Sequence, residues 1–141
     1  QGYPTMLGKF PSMNGEDNVT LFRVEEMHLI AAETSLRAGN AADALSYLNN
    51  IPAIRGLGAD YYASATLENI LEERRKEFAF EGLRFHDLSR MGLDMPQIDS
   101  FKQLNDDLTG TPPTYGSHRY AYPIALAERN ANPNMVQNYG Y

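Results

Sequence analysis

Two runs of apolar residues at helical spacing lie end to end between Phe22 and Ile51, with only Gly39 and Asn40 to separate them. In the first run Val24, Met27, Ala31, Thr34 and Ala38 share one stripe, and Phe22, Leu29 and Leu36 share a second. That pattern predicts a helix over 20–38 with neighbours on two sides. Glu33 stands four residues before Arg37, the favourable order for an exposed helical ion pair. Gly39 is placed to stop this helix, and Asn40 to cap a second over 41–52 that points Ala44, Leu45, Leu48 and Ile51 inward. A link this short leaves two rods no arrangement except an antiparallel hairpin.

The rest of the chain adds helices and a tail. Thr66 is placed to cap a third helix over 67–80, with Leu67, Ile70, Leu71, Arg74 and Phe78 on one face. Gly82 interrupts the pattern, which resumes over 83–91, and Ile98, Phe101, Leu104 and Leu108 suggest a further helix over 97–108. Residues 1–18 and 109–141, rich in Pro, Gly and Asn, read as irregular lead-in and ordered loop. Valine occurs only at 19, 24 and 136, which leaves little from which to build a sheet. The expected fold is therefore mainly α: a helical hairpin, a third helix and a long, ordered C-terminal loop region. With 141 residues the chain is expected to form a single domain, helical over 20–90 and mostly extended tail over 91–141. Five tyrosines at 115, 120, 122, 139 and 141 mark that tail as one that wraps a larger body.

Composition narrows the chemistry. Twelve basic against eighteen acidic residues give a net charge of −6, which argues against a nucleic-acid partner. Without cysteine there is no disulfide, thiolate metal site or Cys nucleophile. No apolar run reaches the roughly 20 residues of a membrane span. The first residues lack a basic and apolar leader, so the chain is expected to be a mature or truncated piece of something longer.

Ala32, Gly39, Ala44, Leu48 and Ile51 resemble the small-residue skeleton of a tetratricopeptide repeat, which needs a stacking partner to bury its faces. Glu25 and His28 have the Glu-x-x-His spacing of carboxylate-bridged metal sites, but the second such pair and the facing glutamates that chemistry requires are missing. His86-Asp87 has no convincing metal-binding companions either. The densest charge runs from Glu72 to Glu77 and on through Glu81, Arg84, Asp87 and Arg90. Part of it is a solvated face on which Glu72 and Lys76 pair. Arg74 and Glu81, however, share the apolar stripe, and a charge there must find a partner. The expectation is a half-buried structural network of Arg74, Glu77, Glu81 and Arg84 around the Gly82 turn. Those arginines would keep Glu77 and Glu81 ionised and so oppose acid/base catalysis by that pair.

Four segments resemble the C-terminal region of the SusD/RagB family of surface nutrient-binding lipoproteins. Phe22-Arg23-Val24-Glu25-Glu26-Met27-His28-Leu29-Ile30-Ala31-Ala32-Glu33 is similar to the family's "RxxEvxLixAEa" helix. Ala44-Leu45, Asn49-Asn50-Ile51 and Arg55 resemble its second helix, with Pro52 and Gly56 as departures. Glu72 through Arg90 is close to "ERRxELafEGxRfxDLxR", and it is the longest and most specific match. Tyr122-Pro123-Ile124, Glu128, Asn132-Pro133-Asn134 and Gln137-Asn138-Tyr139-Gly140-Tyr141 resemble the family's terminal run, with Ala125 and Tyr139 where Pro is usual.

The resemblance implies a protein that is not an enzyme and needs no cofactor. It would be lipid-anchored on the outer membrane through an upstream segment and would present oligosaccharide, or peptide, to a SusC-like TonB-dependent transporter. This chain would mainly be scaffold, completed by the upstream part of the same protein. Family sites often use Trp rings against sugar faces. Trp is absent here, and Tyr61 and Tyr62 are the adjacent aromatics in an expected exposed loop, which makes them the candidate ligand contacts. The alternatives are a tetratricopeptide-like adaptor for a protein partner and a metal- or carboxylate-dependent hydrolase centred on Glu25 and His28.

Overall fold

A computed structural model describes residues 9–12, 14–96 and 113–141. The helix expected over 97–108 and, of the lead-in, residues 1–8 and 13 lie outside the described residues. Among the described residues five α-helices run in the order α1 (Val24–Arg37), α2 (Ala41–Ile54), α3 (Leu67–Glu77), α4 (Leu83–Met91) and α5 (Leu126–Ala131), with a 3-10 turn at His118–Tyr120. No strand occurs among the described residues. The fold is mainly α, as expected. It divides into two compact units, one ending at Ile70 and the other beginning at Leu71.

In the first unit α1 and α2 pack against each other as a hairpin. Gly39 turns the chain at φ +81°, a backbone angle that side chains with a Cβ rarely adopt. Asn40 caps α2 by accepting a hydrogen bond from the Asp43 N–H at 3.3 Å, a contact worth about 1 kcal/mol. Leu29 and Ala32 of α1 meet Ala44, Leu48 and Ile51 of α2 in a fully buried core. Each large aliphatic buried this way stabilises the fold by about 1.5–3 kcal/mol. The small side chains at 32 and 44 let the two backbones approach.

Three details differ from the sequence expectation. The stripe that begins at Val24 and Met27 faces solvent, with Val24 67% exposed, whereas the buried face is Leu29, Ala32 and Glu33. Periodicity marks both stripes equally, and only the α2 partner chooses between them. Glu33 does receive the Arg37 guanidinium at 2.9 Å, but from a buried position and not an exposed one. Finally, α2 continues past Pro52 to Ile54. Proline removes only its own donor here, and the carbonyls of Ile51 and Pro52 accept from the N–H groups of Arg55 and Leu57 at 3.1 and 2.9 Å.

In the second unit α3 stops at Glu77 instead of running on to Phe80, because the chain turns over residues 78–82. Gly82 takes φ +78° at that turn. Among the described residues Phe80 is the one non-glycine with positive φ, at +68°. Glu72 binds Arg75 at 2.6 Å and Lys76 binds Glu73 at 2.7 Å, a register one residue tighter than the expected Glu72–Lys76 pair. The described part of the tail contains α5, which was expected to be loop; six residues are too few to show a helical period.

Candidate functional site

In the first unit the loop that follows α2 presents the two candidate tyrosines. Their rings meet edge to face with centroids 4.8 Å apart, Tyr61 exposed and Tyr62 half-buried. The loop is held by Asn49, a buried residue of α2 that sequence reasoning did not single out for this purpose. The Asn49 carboxamide donates to the Tyr62 carbonyl at 3.0 Å and accepts from the Tyr62 N–H at 2.9 Å. One side chain thereby satisfies both polar groups of the main chain, as a neighbouring strand would. A buried Asn on the inner face of a helix is the only sequence signal for such a clamp.

Glu25 and His28, the candidate metal ligands, are otherwise engaged. Glu25 takes Arg55 at 3.1 Å and Arg23 at 3.5 Å, while His28 Nδ1 stands 3.4 Å from the Asn50 carboxamide. Among the described residues no three His, Asp or Glu side chains come together as a metal ion would require.

In the second unit the α3–α4 corner gathers the charge. Arg74 Nε reaches both oxygens of Asp87 at 3.0 and 2.9 Å, and its guanidinium lies 5.1 Å from the Phe78 ring centroid. Arg90 approaches the same carboxylate at 2.9 Å. Arg74 is buried, and Asp87 is only 3% exposed, so the pair is held in low dielectric and ties α3 to α4. Of the four residues assigned to a structural network, Arg74 and Glu77 are buried and Glu81 is half-buried. Arg84 has a buried Nε with no hydrogen-bond partner among the described residues. Asp87, noted in the sequence only as part of the charge run, is the carboxylate that Arg74 meets. The 13-residue separation hides that pairing, although the i,i+3 spacing of Asp87 and Arg90 is a partial signal.

An open cavity of ≈ 330 Å³ lies beside this corner, lined by Arg74, Arg75, Arg84, Phe80, Phe85 and Tyr122 among others. Phe85 joins the tail aromatics, 5.7 Å from the Tyr120 ring and 6.3 Å from Tyr122. Burial and the nearby Asp94 carboxylate raise the pKa of the Tyr120 phenol, whose hydroxyl donates to the Leu93 carbonyl. A second carboxamide clamp orders the tail. Gln137 accepts from the Ile124 N–H at 2.8 Å and donates to the Ile124 carbonyl at 3.2 Å. Asn138 donates to the Tyr122 carbonyl at 2.7 Å and the Tyr141 hydroxyl to the Ala121 carbonyl at 2.8 Å.

Residues 8–141 match the family model described as the SusD family. The chain belongs to the SusD family. It is 29% identical over 140 residues to the starch-binding protein SusD of Bacteroides thetaiotaomicron, an alignment that takes in 99% of this chain and 24% of that protein. The crystal structure of a SusD superfamily protein from the same species superposes with a TM-score of 0.70 at 34% identity, covering 92% of this chain and 30% of the other. The surface glycan-binding protein A of Bacteroides uniformis is similar with a TM-score of 0.66 at 31% identity, covering 86% and 28% respectively. The chain therefore spans about a quarter of the length of the curated SusD relatives it matches. The segment of closest resemblance to the family pattern, Glu72 to Arg90, is the one that contains the buried Arg74–Asp87 pair. The terminal segment is the one organised by Gln137.

Proposed function

We propose that this chain is part of a non-catalytic nutrient-binding protein that captures oligosaccharide at the cell surface for a SusC-like TonB-dependent outer-membrane transporter. The observation that carries the reading is the family match across residues 8–141, together with relatives described as binding starch and surface glycans. Such binding needs ring faces and fixed hydrogen-bonding groups, and it needs neither a nucleophile nor a transferred proton. The exposed Tyr61 edge beside Tyr62, on a loop held by Asn49, supplies an aromatic surface of the required kind. The chain would act mainly as one scaffold domain. The upstream part of the same protein would cover the exposed apolar residues of α1, Val24, Met27 and Ile30. No helix among the described residues is long and apolar enough to cross a membrane, and a lipid anchor upstream would hold the protein at the outer membrane.

The test uses the full-length protein in affinity electrophoresis and calorimetry against a panel of neutral oligosaccharides, starch fragments included. Saturable binding that weakens in Tyr61→Ala and Tyr62→Ala variants of unchanged thermal stability is the expected result. Binding to no glycan, or copurification only with a cytosolic protein, would overturn the reading. Copurification with an outer-membrane barrel would support the transporter partnership.

A further inference from the structure

We propose that the open cavity at the α3–α4 corner is a subsite for an acidic sugar, with Arg84 receiving the carboxylate or sulfate substituent and Phe80 and Tyr122 flanking the ring. This rests on the glycan-binding reading and adds to it the charge class of one bound residue.

Three observations lead there. The lining contains the guanidiniums of Arg74, Arg75 and Arg84 and no carboxylate, in a chain whose net charge is −6. Two of these cations are already matched, Arg74 by Asp87 and Arg75 by Glu72. Arg84 differs from both: its buried Nε has no acceptor among the described residues. Nε itself is closed to solvent and so to a ligand; an anion would meet the Arg84 charge at the outer nitrogens of the guanidinium, whose planar fork suits carboxylate and sulfate oxygens.

The second observation is the aromatic pair. Tyr122 is 83% exposed and Phe80 is 72% exposed, yet both line the cavity. Water-facing rings on the wall of a concave site offer the apolar faces on which a pyranose ring packs. The third is the backbone at Phe80. A bulky side chain is strained at φ +68°, and such positions gather at ligand sites where the surrounding turn enforces them. The volume, ≈ 330 Å³, falls at the lower end of the roughly 300–1,000 Å³ of small-molecule sites and suits one sugar residue rather than a long chain.

The test is calorimetry on the full-length protein with matched oligosaccharides that are neutral, uronic-acid-containing or sulfated. The expected result is tighter binding of at least one acidic series, with the uronate and sulfate arms telling which substituent Arg84 takes. Arg84→Gln should lower that affinity about tenfold or more, the scale of a hydrogen bond to a charged group, and leave neutral oligosaccharides unaffected. Should Arg84→Gln fail to fold, Tyr122→Ala reports on the same site from an exposed position and should weaken the acidic series selectively. Neutral glycans binding with no acidic preference would overturn the subsite and leave the glycan-binding reading standing. Acidic binding that neither variant alters would also overturn it. No glycan binding of any kind would overturn both.

Discussion

The α1–α2 hairpin and the α3–α4 corner solve one problem, joining two helices across a glycine turn, with opposite chemistry. The hairpin closes on aliphatic side chains, Leu29 and Ala32 against Leu48 and Ile51. The corner closes on an ion pair, Arg74 with Asp87, supported by Arg90 and the Phe78 ring. Apolar closure is tolerant, because any side chain of similar volume contributes most of the same burial. Ionic closure is demanding, because its stabilisation exists only while both charges are present in the right geometry. The first is a matter of surface area and the second of complementarity.

The contrast can be broken most directly at Asp87. Asp87→Ala removes the carboxylate shared by Arg74 and Arg90 and should cost about 3–5 kcal/mol in urea unfolding; a loss below about 1 kcal/mol would place the corner's stability elsewhere. The double replacement Arg74→Met with Asp87→Leu sharpens the point, since removing both charges together should restore most of that loss. Leu48→Ala should cost about 3 kcal/mol through lost burial and a residual cavity, whereas Leu48→Met should cost less than about 1.5 kcal/mol, the tolerance that separates the hairpin from the corner.

Asn49→Asp is nearly isosteric but sets a carboxylate oxygen against the Tyr62 carbonyl. It should cost about 1–3 kcal/mol and raise amide exchange at Tyr62. The smallest effect belongs to Glu72. The Arg75 hydrogen bond holds its carboxyl below the ordinary 4.5, so its contribution is present at neutral pH and is lost as pH falls through that lowered value. The pair is about half exposed and screened, so Glu72→Gln should cost less than about 0.5 kcal/mol at pH 7 and less still at about pH 3. Unfolding midpoints at the two pH values check this.

The hairpin was legible because its signals are local. Gly39 and Asn40 are adjacent, and each acts on its own backbone. The helix ends at the turn and most inward positions of α2 followed from them, whereas the far ends, Val24 and Ile54, did not. The exposed face of α1 was misread because Val24 and Met27 are as apolar as Leu29, and spacing alone cannot say which stripe a neighbour will cover. The corner was half legible: a charge on an apolar stripe announces a buried partner but does not name it, and Asp87 lies on the next helix. The clamps at Asn49 and Gln137 left almost no trace, since each joins segments 13 residues apart through groups that every residue possesses. The candidate tyrosines were visible as an adjacent pair. The cavity at the corner was not, because it depends on a left-handed turn at Phe80 that the sequence does not advertise.

The Asn49 clamp grips only peptide groups, and it is indifferent to what position 62 bears, provided it is not proline. The anchoring of that loop and the identity of its rings are thus separable properties. A lineage could exchange tyrosine for tryptophan, arginine or serine there, changing what the loop shows to solvent, while the tether beneath went on working unchanged.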